Sequence, residues 1–353
     1  MEVIAHSNSK YWDEVVRSFE SYDVYYLNGY VEGFRLHGDG EPVLLYYDEG
    51  DLRVICVLML RDISESKLFV DHLPRQKYYD AITPYGYGGF IIDGIPSKEE
   101  LDHIYSEFIR ELRALSVISV FFRFHPMLNN AHVFDEHMKV IDLGKTIHID
   151  LTSKEEIWSN FEGRNRTSIR KAIKSGVTIK HDSDKKTIQK FIELYNTTMD
   201  YDKADPYYYF GEDFYGSILK DLPDNHTFFY AELDHTIISC AIILHGNQQM
   251  HYHLSGSDYE YRKLSPSNLL LYEAACWGVE MGYKTFHLGG GVGSQQDSLL
   301  KFKQSFNKNS SNQFSIGYDI VNKPIYQELV EVRKRTDESF DAHSSFFPLY
   351  RAI

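Results

Sequence analysis

Three observations predict an α+β fold in two successive cycles. Helix-like and strand-like periodicities alternate along the chain instead of separating into all-helical and all-stranded blocks. A first set of elements ending near Phe124 is followed, from about Lys145, by a second set of similar design. The length of 353 residues, with 43% hydrophobic and 15% aromatic side chains, is enough for two cores.

Taken in order, residues 10–19 have the spacing of a short amphipathic helix. Residues 43–47 and 52–60 read as paired strands turning at Asp48-Glu49-Gly50. After the glycine-rich run 83–92, Ser97 is placed to cap a helix whose Ile104, Phe108, Leu112 and Leu115 recur at helical spacing. Residues 117–124 then form a buried strand. In the second cycle a strand at 148–151 precedes a helix capped by Ser153. A further helix at 164–175 carries the stripe Ile169, Ala172, Ile173 and stops at Gly176. A strand at 177–181, a helix at 186–201 and a strand meander over 227–233, 236–245 and 249–255 follow. The chain continues with a helix at 268–281, a strand at 285–288, a helix at 298–306, a strand at 314–321 and a helix at 325–333.

The formal charge of −14, from 51 acidic and 37 basic residues, excludes a generally basic nucleic-acid coat. Cys56, Cys240 and Cys276 each sit in an apolar stretch with no CxxC pair, which implies buried thiols in a reducing compartment. The first residues lack the basic and apolar regions of a leader, and no run reaches the ~18 apolar residues of a membrane span. A cytoplasmic protein without a membrane segment is expected.

Two stretches carry a resemblance. One is the basic run from Arg164 to Ile179. The other combines Tyr252-His-Leu-Ser-Gly-Ser-Asp258, Ser265-Pro-Ser-Asn268, Phe286-His-Leu-Gly-Gly-Gly291 and Asp297-Ser-Leu-Leu-Lys-Phe-Lys303. In order and spacing they resemble the FemABX transferases of the GNAT acyltransferase superfamily, strongly over 146–318 and weakly before. Arg123, within Phe121-Phe-Arg-Phe-His-Pro126, fits that family's first domain. The resemblance implies two tandem GNAT-like domains: 146–318 binds the donor, and 1–145 completed by 319–353 is a reduced acceptor-side domain. It implies transfer of an aminoacyl group from aminoacyl-tRNA to an amine of a cell-wall precursor, without a cofactor.

By the same resemblance Lys303 stabilises the oxyanion formed when an amine attacks the ester, and Phe302 lines the donor channel. Lys301 is expected to face solvent, and Leu299, Phe302 and Phe306 to share the apolar face of their helix. Tyr252, His253 and Ser255 on one strand, Tyr85 in the glycine-rich run, and Tyr207 and Tyr208 beside Asp200, Asp202 and Asp205 are the candidate substrate contacts. Arg164, Arg166, Arg170, Lys171 and Lys174, reinforced by Lys180, Lys185, Lys186 and Lys190, outnumber Glu162, Asp182 and Asp184. Either a solvated helix face or a phosphate site for a tRNA acceptor stem accounts for them. Arg262 and Lys263 are further phosphate candidates. His251 and His253 alternate on a strand, but no third ligand has a telling spacing and no metal is expected.

Gly289-Gly-Gly-Val-Gly293 lacks the Gly-Lys-Ser/Thr of a P-loop and reads as a tight connection, with Asp297 capping the next helix. Acetyl-CoA-dependent GNAT enzymes place a glycine-rich turn before the central helix. The matching Tyr261–Asn268 has no glycine, and Pro266 removes an N–H, so CoA is disfavoured. Peptidoglycan-specific members clasp their nucleotide-sugar acceptor with a Lys and an Arg. Residues 30–34 and 205–209 contain neither, which leaves the acceptor open. No room exists between Arg164 and Thr236 for the helical hairpin of some members. Two further readings stay open: an acyl-CoA or acyl-carrier-dependent N-acyltransferase, and a non-catalytic binder of cell-wall precursors.

Overall fold

Apolar alternation along β-strands and apolar stripes along helices sort into two units in the computed structural model, one of residues 1–143 with 314–353 and one of residues 144–313. All residues are described except Asp71, Ser183 and Asp184, and the side chains of Lys185 and Lys186. Asp184 and those two lysine side chains, counted in the basic run, therefore lie outside the described residues.

In the first unit the order is β1 (Glu2–Ala5), α1 (Ser9–Arg17), α2 (Asn28–His37), β2 (Glu41–Glu49), β3 (Leu52–Asp62), β4 (Tyr79–Ile82), β5 (Phe90–Asp93), α3 (Lys98–Ala114) and β6 (Val117–Arg123). Leu52, Val54, Cys56, Leu58 and Leu60 on β3 point to one side, as a period of two requires. There they meet Ile104, Phe108 and Leu112 of α3. Ser97 and Glu100 form a full capping box at the start of α3.

The chain passes through β7 (Lys139–Asp150) into the second unit: α4 (Lys154–Asn160), α5 (Gly163–Lys174), β8 (Thr178–Asp182), α6 (Lys185–Asp202), α7 (Glu212–Asp221), β9 (His226–Leu233), β10 (Thr236–Gly246), β11 (Gln249–Ser257), α8 (Pro266–Glu280), β12 (Thr285–Gly289) and α9 (Ser298–Gln304). It then returns through β13 (Asn312–Asp319) and α10 (Lys323–Thr336). β13 pairs antiparallel with β6, and α10 covers Ile63, Phe69 and Ile118 with Leu329, Val330 and Val332. Asp80, 1% exposed, accepts a hydrogen bond from Arg61 Nε at 2.6 Å, one from Tyr350 Oη at 3.3 Å and a close one from Arg351 Nε.

The second unit's sheet runs β7-β12-β11-β10-β9-β8. Among the described residues its one parallel pair is β11 with β12, matched from Gln249↔Thr285 to His251↔His287. Beyond His251, β11 continues against β10 alone, so the two parallel strands part. α5 and α8 pack on one face with Ile169, Ala172, Leu270, Leu271 and Ala275. α6 lies so close to β11 that a Cβ on Gly256 would stand 2.4 Å from the Tyr195 backbone N.

Candidate functional site

The parting of β11 from β12 exposes the far end of β11 to the start of α8 and to α9. A cavity of about 240 Å³ is lined there by Tyr252, Ser255, Gly256 and Ser257 of β11, Arg262, residues 265–268, Thr198 and Phe302. Among the described residues no carboxylate lines it. Two of its lining hydroxyls, Ser257 and Ser267, are 3.0 Å apart and both reach the buried Ser239 Oγ, at 2.7 and 3.1 Å.

A second cavity of about 380 Å³ lies on the other side of Phe302 and Asn268, with Arg164, Asn165, Ser168, Ser298, Lys301 and Ser305 around it. Asn165, 1% exposed, joins the three helices at this point. It accepts from Asn268 Nδ2 at 2.8 Å and donates to the Ser305 carbonyl at 3.2 Å. Sequence reasoning missed this residue. The signal was an amide at the head of the Ile169/Ala172 stripe, spaced as part of that buried face.

Asp297 caps α9 by accepting from Leu300 N at 2.8 Å, and it also ties down the preceding loop through Val292 N at 2.9 Å. Gly291 has to be glycine, since a Cβ would sit 2.3 Å from the Gln295 carbonyl oxygen. The expected tight connection and cap are thus both present. α9 buries Leu300, and Phe306 just after it is buried too, while Leu299 is 37% exposed, so the expected face of Leu299, Phe302 and Phe306 is corrected. Phe302 is half-buried, edge-on to Phe306 at 5.3 Å, and forms a wall of both cavities. Lys301 is exposed as expected and borders the larger cavity.

Lys303, next to Phe302 in sequence, borders neither of the two cavities; it is 9% exposed and donates from Nζ to the Gly290 carbonyl at 2.7 Å. Burial pulls its pKa down to about 8, against the opposing charge of Asp297. Its ammonium and neutral amine therefore interchange close to neutral pH.

The alternation that put His251 and His253 on one face fails. Leu254 pairs with Ile242 and Tyr252 with Ile243, so His253 is the extra residue of a β-bulge. Burial, with His251 nearby, lowers the His253 pKa to about 3, which keeps the ring neutral at physiological pH. Tyr252, pushed up to about 12 by burial, stays a phenol.

The turn into α8 is closed to a phosphate cradle. The Ser265 N–H bonds the Arg262 carbonyl at 3.0 Å and the Asn268 N–H bonds the Ser265 carbonyl at 3.2 Å. Pro266, first in the helix, has no N–H. Ser267 alone of these four residues has an N–H outside this arrangement.

The cationic candidates separate. Arg166 turns inward, donating to the carbonyls of Trp158, Ser159 and Phe161 and so closing the end of α4. Arg164 pairs with Glu162 at 2.6 Å and reaches the Lys301 carbonyl at 3.0 Å on the cavity rim. Arg170 lies over Trp158 at 5.0 Å, and Lys171 and Lys174 are exposed further along α5. Lys263 is exposed beside Arg262.

Tyr207 and Tyr208 stand in a short 3₁₀ turn capped by Asp205, and neither borders the two cavities described. Asp200 accepts from Tyr209 Oη at 2.8 Å. In the first unit Tyr85 stacks on Phe34 at 5.3 Å and its carbonyl accepts from Tyr30 Oη at 2.6 Å. Arg123 donates to the Gly86 carbonyl at 3.2 Å in the same run.

Residues 159–298 match the family model described as acetyltransferase (GNAT) domain. No curated protein matches the sequence. Among solved structures the chain is similar to FemX at 16% identity and TM-score 0.67, over 93% of this chain and 99% of that one. It is similar to the C-terminal domain of a putative lysylphosphatidylglycerol synthetase from Agrobacterium fabrum at 12% identity and TM-score 0.54, over 89% and 92% of the two chains. It is also similar to L-PGS from Bacillus licheniformis at 12% identity and TM-score 0.51, over 86% and 90%. These are likenesses of fold, and the fold is the two-domain GNAT arrangement. Acyl transfer is the class of chemistry that the domain match supports. Among the described residues no helix is long and apolar enough to cross a membrane.

Proposed function

We propose, from a GNAT domain at residues 159–298 in a FemX-like fold, that this protein transfers an aminoacyl group from aminoacyl-tRNA to an acceptor amine and forms an amide. The observation that carries the choice of donor is the closed turn at Ser265–Asn268. An acyl-CoA donor needs backbone N–H groups there for its pyrophosphate, and this turn spends or lacks nearly all of them. A tRNA ester makes no such demand. Its phosphates would meet side-chain cations instead, and Arg164 and Lys301 border the larger cavity while Arg170, Lys171 and Lys174 continue along α5.

In this reading the acyl group enters the hydroxyl-lined cavity, flanked by Tyr252, Ser255 and Phe302. The acceptor nitrogen attacks the ester carbonyl carbon with its lone pair, and Lys303 stabilises the oxyanion that forms. The intermediate expels the ribose oxygen, which takes up a proton given by the acceptor nitrogen, and the amide remains. An ester and an amine held in contact react downhill, so no covalent enzyme intermediate is needed. The unit built from residues 1–143 and 314–353 is the acceptor side, with Tyr85 as a contact. Tyr207 and Tyr208 belong to the donor-side unit. A cell-wall precursor amine fits the FemX likeness, and dependence on tRNA places the reaction in the cytoplasm.

A second reading, an acyl-CoA or acyl-carrier-dependent N-acyltransferase, draws on the acetyltransferase description of the matching domain and on Arg262 and Lys263 beside the turn. A non-catalytic precursor binder is the third. Mass spectrometry of purified protein with mixed charged tRNA and a cell-wall precursor extract tests them together. The first predicts an aminoacylated product that ribonuclease pretreatment abolishes. Product made only with acyl-CoA would replace it with the second, and precursor binding without product from either donor with the third.

A further inference from the structure

Two of the most exposed aromatic rings in the second unit lie against each other. Tyr201, near the end of α6, is 57% exposed, and Tyr259, just after β11, is 44% exposed. Their ring centres are 4.1 Å apart with planes inclined by 33°, and Tyr201 donates to Tyr259 through their hydroxyls at 2.6 Å. Tyr259 is fixed from below, because Asp258 caps its short 3₁₀ helix by accepting from Glu260 N at 2.9 Å. The Arg262 guanidinium lies 4.3 Å from the centre of the Tyr259 ring and is also a wall of the hydroxyl-lined cavity. The platform therefore ends where that cavity begins.

The structure assigns to Tyr201, Tyr259 and Arg262 a stacking site for a nucleobase of the donor, beside the point where its acyl group enters. Such surface bears no load in the core, since both rings keep about half their area in solvent. Holding the rings in place before a ligand arrives lowers the ordering cost of stacking. A base presents a π-face to both an aromatic ring and a guanidinium, and its phosphate finds Arg262 and Lys263 on an otherwise acidic protein. An aliphatic chain would gain nothing from the guanidinium. The inference rests on a nucleotide-bearing donor as proposed above, and the base has two sources, the single-stranded 3′ end of tRNA or the adenine of CoA.

Fluorescence anisotropy at fixed salt, with an RNA hairpin ending in the tRNA 3′ terminus and separately with CoA, tests both points. A 2-aminopurine placed at the terminal base reports stacking directly through its quenching. Tyr259→Ala and Tyr201→Ala are each expected to weaken RNA binding by about 5- to 100-fold and to relieve the quenching. Tyr201→Phe and Tyr259→Phe, which keep the rings, are expected to retain most of both. Unchanged RNA binding and quenching in the alanine variants would overturn the stacking site and leave the tRNA reading intact. Binding of CoA but not RNA, weakened by the same variants, would keep the stacking site and overturn the tRNA reading. If wild-type protein bound neither, both would fall. Where an alanine variant fails to fold, the quenching seen with wild type and the phenylalanine variants decides the matter.

Discussion

Replacing Lys303 by methionine separates catalysis from stability. The drop in its pKa from 10.5 to about 8 corresponds, at about 1.4 kcal/mol per pH unit, to a cost of about 3 kcal/mol for holding an ammonium away from water at neutral pH. Methionine removes that cost but also the charged bond to the Gly290 carbonyl, worth about 1.5–3 kcal/mol. The fold should therefore range from unchanged to about 1.5 kcal/mol more stable in denaturant titrations. Transfer, on the other hand, should fall by about 10²- to 10³-fold with the loss of the oxyanion donor. The pH dependence has a definite sign. An unfolded lysine keeps its proton to about 10.5, so between about 8 and 10.5 the unfolded chain binds more protons, and wild-type stability rises with pH relative to the methionine variant. In the folded protein the ammonium itself is lost as pH rises through about 8. The ratio of wild-type to Lys303→Met rates, which cancels the acceptor's own titration, should thus decline above pH about 8. Transfer within twofold of wild type in the folded variant would refute the catalytic assignment. A loss of 3 kcal/mol or more in stability would show the lysine to be structural.

Three further outcomes follow from other parts of the molecule. Asp80→Asn should cost about 3 kcal/mol in chemical denaturation, because it removes the buried carboxylate shared by Arg61, Arg351 and Tyr350; a change under about 0.5 kcal/mol would contradict that pairing. Gly256→Ala should destabilise by about 1–3 kcal/mol or more because its Cβ meets the α6 backbone, whereas Gly216→Ala in α7, with nothing within 4 Å, should stabilise by about 0.5–1 kcal/mol. Equal effects in thermal melts would refute the close packing. Lys171→Glu and Lys174→Glu should each lower the slope of log affinity for tRNA against log salt by about 0.7–1, and a full salt slope would remove α5 from the RNA contact.

The elements that sequence alone conveyed are those with strong periodicity and ordinary caps, such as α3 behind Ser97 and the β9–β11 meander. α2 was not legible because Gly29 and Gly33 lower its helix propensity, and burial of Tyr30, Val31 and Phe34 overrides it. α7 was lost for a similar reason, among acids and tyrosines that read as loop until Phe214 and Tyr215 are seen packing against Phe210 and Phe191. Around the two cavities, Phe302 and the turn at Ser265–Asn268 could be found by position. The bulge at His253 could not, because strict alternation has no place for an inserted residue. Leu299 was misassigned because a two-turn helix supports more than one apolar face; Leu300 won. Arg166 shows the limit for charge runs, since composition does not distinguish a guanidinium in solvent from one spent on backbone carbonyls.

The pairing of Asp80 with Arg351 spans 271 residues and encloses all of residues 144–313. On a translating ribosome the enclosed unit is finished first, while Asp80, paired by then with Arg61 alone, still lacks the second guanidinium of Arg351 and the Tyr350 hydroxyl. The usual order, in which the earlier part of a chain matures before the later, is thereby inverted. An arrested nascent chain stopped short of residue 349 should expose a protease-resistant second unit beside a first unit that is still open to cleavage.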